Sequence, residues 1–399
     1  MAVPQGYGQC RYELTTIPGP YCAPFGPSLT RASAINAGGE IVGNTKLCDV
    51  GPSQAFFWSA EAGYVLLFPG VTESAANDLT NTGQIVGYFS PWSDGLVSVA
   101  YRYDGQKAET LGTLPGGNWS KAVAINEMNC VVGAWGNTSG QPTPFCAFVW
   151  QDGTMVDLGS DLGTPTSLAR DINDSGQVTG WMGTDLPYTG SGFIWQDGIV
   201  TELPPLPGGI QSNGNAINSC GHVAGTSRRV TETGELEASP VLWRDGETIA
   251  LGLLPGFTRC TATSINDDDQ VIGFCWALGS LQRQFIWQAG VMTDLDDLLP
   301  SEANAITRTA SDINNAGQIA GSVLDTTLGV FVGAMLTPEV GPLGDLDHDC
   351  AVGIRDFLAL LAAWGLCPVP RDCRADLNGD GVVNGLDLTI MLGNWGSAG

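Results

Sequence analysis

The chain has 399 residues, 43% of them hydrophobic and only 14% charged, so it can bury a sizeable core while wetting its surface with Gly, Ser, Thr, Asn and Gln. Sixteen basic against 41 acidic residues give a formal net charge of −25, which repels phosphate backbones and anionic lipid and argues against a nucleic-acid partner. No apolar run reaches the roughly 18 residues a membrane helix needs, and two histidines, His222 and His348, exclude a His-rich zinc centre and leave few bases for a Ser-His-Asp or Cys-His site.

Eleven cysteines without a CxxC pair suit disulfides in an oxidising space. The opening Met1–Gln5 has neither the basic nor the apolar region of a secretion signal, so an extracellular or cell-surface location is inferred from composition rather than from a leader.

Comparing the chain with itself gives seven related segments: Ile35-Asn36 to Gly43, Leu79-Thr80 to Gly87, Ile125-Asn126 to Gly133, Ile172-Asn173 to Gly180, Ile217-Asn218 to Gly225, Ile265-Asn266 to Gly273 and Ile313-Asn314 to Gly321. Their closing glycines are 44, 46, 47, 45, 48 and 48 residues apart, the spacing of one supersecondary unit used seven times. Each unit reads as a β-hairpin whose turn uses Asn for an Asx-turn and Gly for positive φ.

A third strand follows, ending on an aromatic as in Ala55–Trp58, Ala147–Trp150 and Phe285–Trp287, then an Asp-Gly turn such as Gln196–Gly198 and a fourth strand closing on Leu-Pro-Gly at Leu111–Gly116, Leu203–Gly208 and Leu251–Gly256. Four short strands per unit make a propeller blade. The seventh unit stops at Thr337-Pro338 without a fourth strand, and Tyr12–Gly19 matches Thr201–Gly208 in length and pattern. The reading is therefore an all-β, closed seven-bladed propeller over residues 1–337, its last blade completed by the N-terminal strand.

The third-strand aromatics are expected to pack between blades. Trp92, Trp119, Trp135, Trp181 and Trp276 stand off the pattern and are candidates for stacking on sugars. Asp78, Asp171 and Asp312, just before their turns, are assigned to turn and edge hydrogen bonding. Cys260 and Cys275 flank the turn at Asp268 and are expected to face each other, Cys130 and Cys146 are placed likewise about Thr138, and Cys22 with Cys48 is a looser pair. That leaves Cys10 and Cys220 outside the tail, and an odd total leaves at least one thiol unpaired within the chain.

The array resembles the HAF-type extracellular repeat proteins over residues of about 11 to 336. The turn Ile-Asn-x-x-Gly-Gln-Val-x-Gly, the Ala-Phe-x-Trp segment and the Leu-Gly-x-Leu-Pro-Gly-Gly segment recur in that family's order. The resemblance implies secretion and a β-rich repeat domain, and supplies no catalytic residue.

A Pro/Gly-rich joint, residues 338–343, leads to a different grammar in residues 344–399. Asp345, Asp347, Asp349 and Asp356 hold positions 1, 3, 5 and 12 of a twelve-residue loop, and Asp376, Asn378, Asp380 and Asp387 repeat it 31 residues later. A hard cation needs such alternate side chains, a carbonyl at position 7 (Ala351, Val382) and a last carboxylate from the following helix; Asn384 adds position 9 of the second loop. Short apolar helices are expected over 357–364 and 388–395. Two calcium ions are the implied cofactors.

The segment looks like a type I dockerin domain across residues of about 344 to 397. The resemblance implies that Asp345, Asp347, Asp349, Asp356, Asp376, Asn378, Asp380, Asn384 and Asp387 bind calcium, and that the domain docks onto a cohesin-like protein. Cys350 replaces the expected Gly at position 6 and Gly353 stands at position 9, so the second loop is expected to be the stronger. Ile354-Arg355 and Gly385-Leu386, where the family chooses its partner, match no known pairing rule. A Cys367–Cys373 clasp is plausible in the Pro-stiffened insert, as is Cys350 with either.

The sequence thus favours a secreted, non-catalytic binding or scaffold propeller with a calcium-dependent attachment module. The alternative is a polysaccharide hydrolase or lyase targeted by the dockerin, with paired carboxylates from different blades. A third reading is self-association, the tail binding a neighbouring copy.

Overall fold

A computed structural model describes residues 11–22, 26–27, 29–46, 51–90, 97–138, 145–184, 190–277, 282–339, 341–347, 351–367 and 373–396. Cys10, Cys48, Trp92, His348, Asp349 and Cys350, and the side chain of Cys22, lie outside the described residues. The chain divides into two compact units: Thr15–Asp297 with Asn304–Leu336, and Met1–Leu14 with Leu298–Ala303 and Thr337–Gly399. Among the described residues no helix is long and apolar enough to cross a membrane.

The larger unit is built of antiparallel four-stranded sheets, two of which are joined into an eight-stranded one by a single parallel bridge between Ala238 and Arg259. The first repeat uses Leu29–Ile35, Ile41–Lys46, Ser53–Ser59 and Gly63–Leu66. The seventh uses Ala305–Ile313, Ile319–Asp325 and Val330–Pro338, and the N-terminal strand Tyr12–Ile17 is the fourth member of that sheet.

The first hairpin is the same throughout. Ile35 faces Ile41 as Ile313 faces Ile319, and two residues earlier the first strand always carries a bulge, between Ala32 and Ala34 in the first repeat and Ala310 and Asp312 in the seventh. The closing glycine is required by close approach and not by φ. A Cβ on Gly43, Gly87 or Gly321 would stand 2.1, 2.0 or 1.9 Å from the carbonyl oxygen of Arg31, Ala75 or Thr309. Positive φ is needed in the turn itself, at Gly176 (77°), and Asn129 (61°) and Asp269 (57°) take that place in two repeats, the non-Gly types that best tolerate it.

The third-strand aromatics behave as expected. Phe56, Tyr101, Phe148, Phe193 and Phe285 are fully buried. The clusters they belong to draw on successive repeats: Tyr101 packs with Ala34, Val42 and Ala55 of the first repeat, and Phe56 with Ile17 and Ala320 of the seventh sheet. Among the off-pattern tryptophans, Trp119, Trp135, Trp181 and Trp276 are all half-buried, and Trp135 donates to Asp157 Oδ1 at 3.3 Å. None of these four offers a fully open ring.

Cysteine placement divides. Cys260 and Cys275 are cross-strand partners and form a disulfide, and Cys367 and Cys373 form another. Cys130 and Cys146 are free, contrary to the expectation. Cys146 lies opposite Trp135, whereas Cys130 precedes Val131, which lies opposite Trp150, so the two thiols sit at opposite ends of the strand pair. Gly136 pairs with Phe145, so the two strands are not in register about Thr138. Reducing Cys260–Cys275, which closes a sequence separation of 15, is expected to cost about 3 kcal/mol. Thermal melting of Cys275→Ser against the parent checks this, and an unchanged midpoint would contradict it.

The smaller unit shows its duplication in its core. Val352, Leu360, Ala375, Val383 and Met391 are buried, with Leu346, Phe357, Leu377 and Leu388 packed around them. Val352 and Val383, Leu360 and Met391, Phe357 and Leu388, and Leu346 and Leu377 are each related by the 31-residue repeat. The helices run over Ile354–Ala362 and Gly385–Gly393, and Gly365–Leu366 pairs with Val382–Val383.

Candidate functional sites

Two places gather chemistry. In the smaller unit, Asp345, Asp347 and Asp356 bring carboxylate oxygens within 4.8 Å of one another. Asp356 opens the first helix and is almost completely buried; its Oδ1 accepts the amides of Leu346 (2.7 Å) and Asp347 (3.1 Å), and its Oδ2 that of Gly353 (2.7 Å). Asp387, equally buried, repeats this set on Leu377 (2.8 Å), Asn378 (3.2 Å) and Asn384 (2.8 Å).

The rest of the second loop is wrapped around its acidic side chains. Asp376 accepts the amides of Gly379, Asp380 and Gly381 at 2.9, 3.1 and 2.7 Å, and Asp380 Oδ1 that of Val382 at 3.0 Å. Asn378 Nδ2 donates to Asp380 Oδ2 at 3.0 Å, and Asn384 Nδ2 donates to the Val382 carbonyl at 3.0 Å. Ala351 is half-buried immediately before the core residue Val352. The donor set is all oxygen, the chemistry that suits a hard divalent cation, and in the first loop three carboxylates lie close enough together to be able to hold one.

The helices behind the loops leave apolar side chains outward. Ile354, Leu358 and Leu361, at i, i+4 and i+7 of the first helix, are exposed, as are Trp364, Leu386, Leu392 and Trp395. They give these two helices an exposed apolar set.

The second place is a cavity of about 450 Å³ in the larger unit. Every repeat contributes the same two positions to its wall. The bulged residues are Ser33, Asn77, Val123, Arg170, Asn215, Thr263 and Ser311, and the residues that follow them are Ala34, Asp78, Ala124, Asp171, Ala216, Ser264 and Asp312. The bulge thus aims one side chain per repeat at a shared space.

Asp78, Asp171 and Asp312, expected to serve turns and edges, do so between repeats. Each Oδ1 accepts the amide of the next residue, at 2.8 Å for Leu79, 2.8 Å for Ile172 and 2.9 Å for Ile313. Each Oδ2 accepts the equivalent amide of the following repeat: Ile125 at 2.8 Å, Ile217 at 2.8 Å and, from Asp312, Ile35 at 3.0 Å. Sequence reasoning missed that the three share one cavity, although their common offset of two residues before the turn position was the available signal.

Burial raises all three carboxyls, Asp171 to about 7 and Asp78 well above the ordinary range, and Asp312 adds its charge against both. An acid whose folded pKa is raised contributes stability that is present below its unfolded pKa near 4 and lost as pH climbs through the folded value. Melting in EDTA should therefore be higher at pH 5 than at pH 8, by on the order of 5 °C, and the difference should shrink in Asp171→Asn. A midpoint that rises with pH would contradict this.

The turns add a second set of inter-repeat bonds. Asn36 Nδ2 donates to the Thr80 carbonyl (3.2 Å), Asn126 to Asn173 (3.0 Å), Asn173 to Asn218 (2.9 Å), Asn218 to Asn266 (3.1 Å), Asn266 to Asn314 (3.1 Å) and Asn314 to Asn36 (2.9 Å). Each asparagine Oδ1 meanwhile accepts amides of its own turn, as Asn314 does from Ala316 and Gln318. His222 sits in its turn with Nδ1 2.8 Å from Asp269 Oδ1, and Arg244 Nη1 is 3.1 Å from Asp269 Oδ2.

No family model matches this chain, and no curated protein matches it. Solved structures do. The β-propeller domain of the Trilobed protease from Pyrococcus furiosus is 13% identical, with 72% of this chain and 96% of that one covered and a TM-score of 0.44. A puromycin hydrolase is 13% identical over 78% of this chain and 55% of that one, with a TM-score of 0.46. The acylaminoacyl peptidase of Pyrococcus horikoshii is 10% identical over 74% of this chain, with a TM-score of 0.50, and this chain spans about half of that protein's length, 49%. At such identity the likeness is one of fold: the repeat array is a β-propeller.

Proposed function

We propose that the protein is a non-catalytic binding or scaffold propeller, closed with seven blades and exported, whose C-terminal module binds calcium and docks onto a cohesin-type protein. The observation that carries the docking half is the duplicated hydrogen-bond set of Asp356 and Asp387, two buried carboxylates that each tie a twelve-residue acidic loop to the start of a helix. Asp345, Asp347, Asp349, Asp356 and the Ala351 carbonyl would hold one ion, and Asp376, Asn378, Asp380, Asn384, Asp387 and the Val382 carbonyl the other. The exposed apolar ridge of Ile354, Leu358, Leu361 and Trp364 would form the docking face. The dockerin and HAF resemblances support the same assignment.

Closure is supported by the bonds from Asn314 to Asn36 and from Ile35 to Asp312, which join the last repeat to the first. The cavity lined by all seven repeats agrees. A non-catalytic ring is favoured over a polysaccharide hydrolase or lyase because both oxygens of each cavity carboxylate already hold backbone amides, the work of a staple between blades.

Surface binding of the full chain to a panel of type I cohesin modules, in calcium and in EDTA, tests the docking. Saturable binding that falls at least about 100-fold in EDTA is expected, roughly 2.7 kcal/mol. Calcium-dependent association of the chain with itself, seen in sedimentation with no cohesin bound, would reassign the partner to a neighbouring copy. Binding unchanged by EDTA would overturn the calcium dependence.

A further inference from the structure

The chain holds three Asn-Gly pairs, Asn213-Gly214, Asn378-Gly379 and Asn384-Gly385. A glycine after an asparagine leaves its backbone nitrogen unhindered, and that nitrogen can attack the side-chain carbonyl carbon to close a five-membered ring. The fold separates the three. Gly214 is buried inside a strand, where an added Cβ would stand 2.1 Å from Thr179 Oγ1. Asn384 caps the second helix: its Oδ1 accepts the Leu386 amide at 2.8 Å and its Nδ2 donates to the Val382 carbonyl at 3.0 Å. Asn378 and Gly379 are both exposed, Gly379 has a φ of 74°, and nothing lies within 4 Å of where its Cβ would be.

Around Asn378 the groups that such a reaction needs are already in hydrogen-bonding contact. The amide of Gly379, the nucleophile, donates to Asp376 Oδ1 at 2.9 Å, an acceptor placed to take its proton. Asn378 Oδ1, on which negative charge gathers as Cγ becomes tetrahedral, accepts the Asp380 amide at 2.9 Å. Asn378 Nδ2, the departing nitrogen, donates to Asp380 Oδ2 at 3.0 Å. Base, charge-stabilising donor and a hold on the leaving group thus meet at one asparagine, and its two siblings at Asn213 and Asn384 are locked into a strand and a helix cap.

We propose that Asn378 is a self-modifying site, its side-chain amide converted to a carboxylate by its own loop. The Gly379 nitrogen bonds to Asn378 Cγ while its proton passes by way of Asp376 to Nδ2; the Cγ–Nδ2 bond then breaks and ammonia leaves. Water opens the ring at either carbonyl, giving aspartate or isoaspartate, with nothing oxidised or reduced. The aspartate product places a carboxylate where the first loop has Asp347, 31 residues earlier, and makes the two acidic patterns alike at that position. The isoaspartate product lengthens the backbone by a methylene and moves the loop's oxygens out of step. One consequence rests on the calcium reading above: Asp376, Asn378 and Asp380, once turned onto a cation, are withdrawn from the reaction, so the filled loop is protected.

Incubation of the full chain in mildly alkaline buffer with EDTA, followed by peptide mass spectrometry for the amide-to-acid mass gain, tests this. Conversion at Asn378 is expected to run at least about tenfold faster than at Asn213 or Asn384, faster than at Asn378 of the same chain in concentrated urea, and about tenfold slower in Asp376→Asn. Should that variant unfold the loop, the comparison of folded parent with parent in urea carries the test. Calcium is expected to slow the conversion about tenfold or more, as the loop's reacting groups are taken up. Conversion that meets the other expectations yet ignores calcium would count against the calcium reading and leave the self-modification standing. Conversion at Asn378 no faster than at the other two asparagines, no faster than in urea, or unchanged in a folded Asp376→Asn would overturn the proposal.

Discussion

Asp387→Ala is expected to cost the C-terminal module about 3–5 kcal/mol and to halve the number of calcium ions it takes up. Three amides, those of Leu377, Asn378 and Asn384, lose a buried carboxylate acceptor at once, and each such bond is worth about 0.5–1.5 kcal/mol before the cost of leaving its donor dry. The side chain is almost wholly buried, so water cannot replace it without opening the helix start. In circular dichroism the module of this variant should melt well below the parent in EDTA and recover only in part when calcium is added. Asp356→Ala should do the same through Leu346, Asp347 and Gly353. Leu392→Ala, which removes an exposed side chain, should leave melting within about 0.5 kcal/mol of the parent.

Asn314→Ala is expected to destabilise the propeller by about 3–4 kcal/mol, more than an ordinary turn substitution. It removes the acceptor of two amides in its own turn and the donor to the Asn36 carbonyl, all at a buried position, and unsatisfied buried groups cost about 1–3 kcal/mol each. If the ring is closed by this bond, the loss appears as one cooperative drop for the whole propeller; if the seam between the last and first repeats is open, only a local, shallow effect remains. The reciprocal change is informative. Thr80 is the repeat position whose side chain does not reach the next turn, its Oγ1 serving Gln84 and Thr82 instead. Thr80→Asn should add the missing bond to Asn126 and raise stability by about 0.5–1.5 kcal/mol, read as a higher denaturant midpoint at unchanged slope.

Much of the β architecture is written in the sequence because it is local. A turn Asn, a Gly tolerated where others are not, and an aromatic at a fixed place in the third strand are each decided within one repeat, and seven repetitions make the pattern plain. The N-terminal strand was legible too, since Tyr12–Ile17 copies the pattern of a fourth strand found elsewhere. What escaped depends on register. The bulge before each first turn adds no residue type of its own, yet it turns Arg170, Asn77 and Asn215 into a common cavity.

The same cause misplaced Cys130 and Cys146. Equal spacing about Thr138 suggested a bond, but the second hairpin pairs Trp135 with Cys146, and a shift of a few residues puts the thiols at opposite ends of the strands. Asp78, Asp171 and Asp312 show the reverse: their hydrogen-bonding role was readable from position, whereas their mutual repulsion is a property of three repeats meeting, which no single repeat encodes. In the smaller unit, the 31-residue duplication of the sequence reappears as a paired core, Val352 with Val383 and Leu360 with Met391.

Calorimetric titration of calcium into the EDTA-stripped full chain tests the attachment module most directly. Two ions per chain are expected, with Asp387→Ala retaining one and the module's melting point rising as the sites fill. No binding, or binding of two ions undiminished by Asp387→Ala and Asp356→Ala, would contradict it.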